Sequence, residues 1–211
     1  SALREANNSS DVVERVKTMT GIKIEIIDGR KEAEIISNSK ISDFFFFLKT
    51  FLFVDVRGGS IEFTIINEGK RVCSKSFKIG TVRLINNLVD DRIWEAIKNW
   101  INKNAKPYHK ITLMGSGGNI NKLFKLSNIK EGKPLSVIKL NQIFLELESL
   151  SYEDRIVKFE LNPDRADVII PAARIYLKAL EWSGGQRIYV PKFGLSDGMI
   201  KYMHKNKRKK V

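Results

Sequence analysis

Two glycine-containing segments each follow an apolar run, and both carry residues suited to handling phosphate. The first is Asp55-Val56-Arg57-Gly58-Gly59-Ser60-Ile61-Glu62, entered from Phe51-Leu52-Phe53-Val54. The second is Gly115-Ser116-Gly117-Gly118-Asn119, entered from Ile111-Thr112-Leu113-Met114. With no Cβ atoms in the way, backbone N–H groups in such loops can turn toward a ligand. Concave sets of N–H groups, above all where a helix begins, cradle anions. A carboxylate at the head of the first loop adds a means of holding a hard cation. Together they suggest a phosphate chain gripped at two points beside a metal. Rival chemistries find little support: His109 and His204 have no Cys or His nearby at zinc-ligand spacing, and no Ser–His–Asp arrangement suggests itself.

The chain that must position these residues has 211 of them, enough for one large domain or two small ones. A hydrophobic share of 43% supports an ordinary core. The 37 Lys and Arg against 24 Asp and Glu leave a net charge of +13. That suits a polyanion: polyphosphate, nucleotide, nucleic acid or an anionic membrane surface. The competing reading is a basic surface that serves only solubility. Cys73 stands alone, which excludes an internal disulfide framework and fits a reducing cytoplasm, the expected location. Ser1-Ala2-Leu3-Arg4-Glu5 reads as an amphipathic helix rather than an apolar leader. The most apolar stretch, Phe44 to Val54, has 11 residues and includes Lys49; a membrane helix needs about 20, so no membrane partner is expected. The end, Lys205-Asn206-Lys207-Arg208-Lys209-Lys210, lacks the interleaved aromatic residues of a nucleic-acid platform, and nucleic acid is not an expected partner.

Periodicity places the loops. Residues 1–20 read as a helix with Val12, Val13, Val16 and Met19 on one face, ending at Gly21, followed by a half-buried strand over Ile22–Ile27. Lys31 to Ile36 reads as a short helix. Strands follow at Leu48–Val54, Ser60–Ile66 and Arg71–Lys78, the last two joined through Asn67-Glu68-Gly69-Lys70. Ile93, Trp94, Ile97, Trp100 and Ile101 then share a helical face. A helix through Leu123 and Phe124 follows the second loop, with others at Asn141–Leu150 and Tyr152–Phe159. Asn162 reads as an N-cap before Pro163 at the first helical position. The helix that follows is apolar almost all round from Val168 to Trp182, so it is expected to be central, with Pro171 able to bend it. A strand at Arg187–Val190 and a helix from Leu195 close the sequence. Three antiparallel strands, then helix, strand, helix, strand, helix, is the order of a ribonuclease-H-like domain.

This order resembles the Ppx/GppA family of exopolyphosphatases and guanosine pentaphosphate phosphohydrolases, in the actin–hexokinase–Hsp70 superfamily. Ser1-Ala2-Leu3-Arg4-Glu5-Ala6 is similar to the family's T-S-A-L-R-x-A helix, and Gly29-Arg30-Lys31-Glu32-Ala33-Glu34 to its G-x-E-E-A-R. Asp55 to Glu62 resembles D-I-G-G-G-S-T-E, Gly80 to Leu84 resembles G-x-V-R-L, and Met114 to Asn119 resembles G-T-G-G-T. Pro163-Asp164-Arg165-Ala166-Asp167 and Gly194-Leu195-Ser196-Asp197-Gly198 resemble P-x-R-A-D and G-L-R-E-G.

The resemblance implies an α/β fold: a ribonuclease-H-like (actin-like ATPase) domain with a mixed sheet, plus the C-terminal part of a second such domain. It divides the chain into a remnant of the first domain with its linker (1–40), the second domain (41–203) and a basic tail (204–211). It also implies a chain truncated at its N-terminus, without the first domain's own glycine loop, and therefore of weak or no activity. The implied reaction is Mg²⁺-dependent release of terminal phosphate from inorganic polyphosphate or guanosine pentaphosphate, by a homodimer. Glu32 matches the catalytic carboxylate that places and deprotonates water. Asp55 matches the metal carboxylate, with Glu62 auxiliary. Gly58, Gly59 and Ser60 form one phosphate loop; Gly115, Ser116, Gly117 and Gly118 form the other, with Arg165 a further anion-binding candidate.

Arg57 departs from the pattern by replacing the first glycine of the triplet. If that position needs a positive φ, arginine is costly there; alternatively its guanidinium grips phosphate. Glu34 replaces an arginine and Asn119 a threonine. Asp55 could instead cap Gly58 or Gly59, and Arg83 and Arg165 could be structural. Two other functions stay open: a non-catalytic binder or sensor of guanosine polyphosphate or polyphosphate, and a kinase of the same superfamily.

Overall fold

A computed structural model describes residues 3, 6–28, 50–68, 70–108 and 111–191. The expected helix at Lys31–Ile36, the helix from Leu195, the basic tail and Glu32 lie outside them. The chain divides into two compact units, Ser1–Ser42 with Phe193–Val211, and Asp43–Lys192.

In the first unit, α1 (Ser9–Thr20) ends as expected on Gly21, whose φ of 72° lets its N–H reach the carbonyl of Lys17. The expected apolar face is only partly used: Val12, Val13 and Val16 are half-buried, but Met19 is 78% exposed. The strand expected at Ile22–Ile27 does not form. A strand is stable only when a neighbour pairs its N–H and C=O groups, and no strand among the described residues runs beside it.

In the second unit, β1 (Thr50–Val56), β2 (Ile61–Asn67) and β3 (Lys70–Phe77) form an antiparallel meander at the positions expected within two residues. Further on come α2 (Thr81–Ile85), α3 (Asp91–Ala105), β4 (Thr112–Ser116) and α4 (Gly118–Leu126). The remainder is β5 (Leu135–Ser136), α5 (Val137–Glu148), α6 (Tyr152–Phe159), α7 (Pro163–Ser183) and β6 (Arg187–Tyr189). The sheet order is β3-β2-β1-β4-β6-β5, with β4 parallel to both β1 and β6. This mixed α/β arrangement is the one expected, with the short β5 added at the far edge.

Local chemistry sets several boundaries. Asp90 accepts from the Arg92 N–H to start α3. The Ser136 hydroxyl accepts from the Lys139 N–H, so α5 begins earlier than the periodicity suggests. Ser151 does the same for α6, which stops where Glu160 turns left-handed. Asn162 precedes Pro163 as expected but caps with no side-chain bond; its carbonyl takes the N–H groups of Arg165 and Ala166.

One face of the sheet builds the core. Leu52, Val54 and Val56 stand opposite Ile65, Phe63 and Ile61 in the β1–β2 register, and all are buried. α7 is the central helix, as expected. It runs through Pro171 and buries Ala166, Ile169, Ala172, Ala173, Ile175, Tyr176, Ala179 and Leu180, while α2, α3, α4, α5 and α6 all pack on it. Alanines at four of these positions let helix backbones approach closely. Cys73 lies on edge strand β3, where partial burial pushes its thiol up from the usual cysteine value.

Tyr176 is the exception in that apolar helix. Fully buried, it sends its hydroxyl between the carbonyls of Ser116 (3.1 Å) and Val54 (3.3 Å), joining the ends of β4 and β1. Desolvation, and then the nearby Asp55 charge, push its ionisation well above the usual tyrosine value of 10.0. A folded-state value above the unfolded one stabilises the protein fully below about pH 10 and stops doing so as pH rises beyond it. Ultraviolet titration should therefore show a tyrosine step that appears only on alkaline unfolding and is missing in Tyr176→Phe. Chemical denaturation should find that variant less stable by about 1 kcal/mol.

Candidate functional site

The loop after β1 is shaped by a helix that receives its carbonyls. The N–H of Thr81 bonds the carbonyl of Arg57 (3.0 Å), and those of Val82 and Arg83 bond the carbonyl of Gly58 (3.0 and 3.4 Å). Arg83 Nε donates to the carbonyl of Gly59 at 2.8 Å. Gly80 makes this approach possible: a Cβ there would lie 2.3 Å from the Gly58 oxygen and 2.6 Å from that of Arg57. No peptide bond among the described residues is cis, so each C=O in this loop points opposite to the N–H of the next residue. Engaging the carbonyls of Arg57, Gly58 and Gly59 on the α2 side therefore turns the N–H groups of Gly58, Gly59 and Ser60 the other way. These three donate to no group among the described residues.

The second loop is the start of α4. Gly117, at φ 105°, makes the turn from β4 into the helix, a conformation that side-chain-bearing residues rarely adopt. No side chain caps the helix, so its first N–H groups remain available. Gly117 also brings the loop against the end of β1, where a Cβ would lie 3.5 Å from the Val56 carbonyl and 3.6 Å from Asp55 Oδ1. Gly115 has a different task, because a Cβ there would strike Ile120, Tyr176 and Ile188. It clears packing space rather than facing a ligand.

Charged side chains converge on these loops. Asp55 is 7% exposed at the carboxyl end of β1, opposite Ser116 on β4 and Glu62 on β2. Its Oδ1 accepts from the Ser116 hydroxyl at 3.1 Å. Its Oδ2 takes Nε and Nη2 of Arg57, both at 2.7 Å. Glu62 lies on the same sheet face as Asp55, since opposite residues of an antiparallel pair share a face, and accepts from the Ser74 hydroxyl at 3.2 Å. Arg165, in the first turn of α7, lies against Gly118 and donates to the side-chain oxygen Oδ1 of Asn119. No carboxylate pairs with it among the described residues. A cation beside the positive end of α4 is electrostatically unfavourable until an anion joins them.

Several sequence expectations change here. Arg57 does not have a positive φ, so the feared steric cost does not arise; the tight position is Gly58, where a Cβ would meet Val82 at 3.1 Å. Arg83 secures the loop from behind. Gly80 and Asn119 were visible only as parts of motifs, and Tyr176 as one polar residue in an apolar helix. Glu32 lies outside the described residues. Asp55 does not fit a resident Mg²⁺: one of its oxygens is held by a guanidinium, the other by a hydroxyl. Nor do three His, Cys, Asp or Glu gather as a metal set among the described residues.

Comparison with known proteins places the chain in a family. The Ppx/GppA phosphatase family matches residues 1–207. A bifunctional 3-dehydroquinate synthase/phosphatase of Fusobacterium nucleatum subsp. nucleatum is 29% identical over 217 residues, covering 90% of this chain and 32% of that protein. Exopolyphosphatase 1 of Mycobacterium leprae is 21% identical over 221 residues, covering 95% of this chain and 65% of the other. The chain thus spans less than two thirds of either relative. The crystal structure of an exopolyphosphatase from Cytophaga hutchinsonii superposes with a TM-score of 0.79 at 22% identity, covering 98% of this chain and 73% of that one.

The carbonyl clamp makes Gly80 the most sensitive position behind the site. Gly80→Ala should lower stability by about 1–3 kcal/mol in urea denaturation, the usual cost of forcing atoms into a packed region.

Proposed function

The chain belongs to the Ppx/GppA phosphatase family, and from that premise we propose that it is a phosphohydrolase acting on the end of inorganic polyphosphate or of a guanosine polyphosphate. The observation that carries this reading is the set of loop N–H groups at Gly58, Gly59 and Ser60, turned away from α2 by the engagement of three carbonyls. The α4 N-terminus and Arg165, without a carboxylate partner among the described residues, supply a second grip. Phosphoryl transfer depends chiefly on positioning and charge neutralisation, which such groups provide. The net charge of +13 favours approach of a polyanion.

In this reading Glu32 orients a water molecule and takes its proton. The water oxygen bonds the terminal phosphorus as the bridging P–O bond breaks, and the shortened chain leaves with the electron pair. The N–H sets and arginines neutralise the phosphate oxygens. No step is assigned to Mg²⁺, which the Asp55 surroundings do not favour. A cytoplasmic location and a homodimer belong to the same reading; among the described residues no helix is long and apolar enough to cross a membrane.

A second reading, a sensor that binds the same anions without hydrolysis, draws on the Arg57–Asp55 pair, which leaves Asp55 neutralised. Phosphate release from polyphosphate separates the two. The hydrolase reading expects release that falls by about 10²–10⁴-fold in Glu32→Gln, the range for a lost general base, with binding kept. Tight binding with no release in the unsubstituted chain would instead establish the sensor.

A further inference from the structure

We propose that Arg57 occupies the place of a divalent cation at Asp55, so that anions bind these loops without Mg²⁺. The inference rests on the phosphate-binding reading above for its second half, but not for its first. Nε and Nη2 both reach Asp55 Oδ2 at 2.7 Å, while Oδ1 takes the Ser116 hydroxyl. The carboxylate is thus oriented from both sides by donors belonging to the chain itself. The pair is largely enclosed, with side-chain exposures of 17% for Arg57 and 10% for Asp55, so solvent screens it weakly.

A magnesium ion demands near-octahedral oxygen donors at about 2.0–2.1 Å. Binding at Oδ2 would place it against the guanidinium, and the two cations would repel. A carboxylate and a fixed positive charge beside a set of N–H donors reproduce what a bound cation contributes, which is positive charge facing phosphate oxygens. The guanidinium remains charged throughout the physiological range, so this contribution does not depend on metal supply. Glycine at position 57 would leave Asp55 Oδ2 without these two donors and open to a cation.

Two probes test this on the full chain, with thermal melts checking that each variant folds. The first is Mn²⁺ alone, followed by electron paramagnetic resonance. The unsubstituted chain should show no Mn²⁺ site that Asp55→Asn removes. Arg57→Gly should gain one, and the Arg57→Gly/Asp55→Asn double variant should lose it again; Arg57→Gln serves where the glycine variant does not fold. A site at Asp55 in the unsubstituted chain, or no gain on removing Arg57, overturns the proposal. The second probe is inorganic tripolyphosphate, titrated calorimetrically with EDTA present. The proposal expects binding that weakens by about tenfold or more in Arg57→Gln, as for a lost charge-assisted hydrogen bond. Binding that appears only when Mg²⁺ is added overturns the proposal and leaves the phosphate site standing. Binding under neither condition sinks the phosphate reading, and the Mn²⁺ result alone then decides the role of Arg57.

Discussion

The close approach of Gly80 to the loop after β1 is the constraint on which the site depends. A helix start ordinarily leaves its first N–H groups without partners. Here α2 spends them on the loop carbonyls of Arg57 and Gly58, and Arg83 secures that of Gly59. The planar trans peptide converts this into a statement about the opposite side, where three N–H groups must point away from the helix. Helix and loop thus satisfy each other in one direction and leave donors in the other. A single Cβ at position 80 would separate them.

The second loop solves the same problem without a clamp. The turn at Gly117 sends β4 straight into α4, so the helix start itself faces outward. The two loops are brought together by the parallel pairing of β1 with β4, which places Asp55 beside Ser116. Tyr176 holds that junction from the core side, neutral because burial and the Asp55 charge both oppose its ionisation.

Among the described residues, positive charge gathers at the two loops. Arg165 sits at the positive end of α4, and backbone N–H dipoles converge from two loops. Asp55, at the head of the first loop and bonded to Ser116 of the second, has its charge offset by Arg57. Such a cluster gains most from a ligand carrying several negative charges close together, which a phosphate chain does.

Much of this was legible in the sequence, because local chemistry fixes it. The meander follows from β-rich apolar runs separated by turn residues, α7 from Pro163 and the apolar residues behind it, and its end from Gly184. The glycine loops announced themselves by composition and by the strands before them. The strand expected at Ile22–Ile27 failed because alternation describes a face, whereas a strand exists only with a neighbour to bond. Arg57 is the sharper case. Its identity raised a question about backbone strain, yet the answer is an ion pair made by a side chain two residues after the carboxylate it meets. The sequence by itself determined which segments become strands, helices and glycine loops, since those depend on neighbours within a few positions. Only the tertiary structure decided which way the loop N–H groups point and what Asp55 holds, because a helix more than twenty residues away supplies the bonds for the one, and the folded loop sets the side-chain geometry of the other.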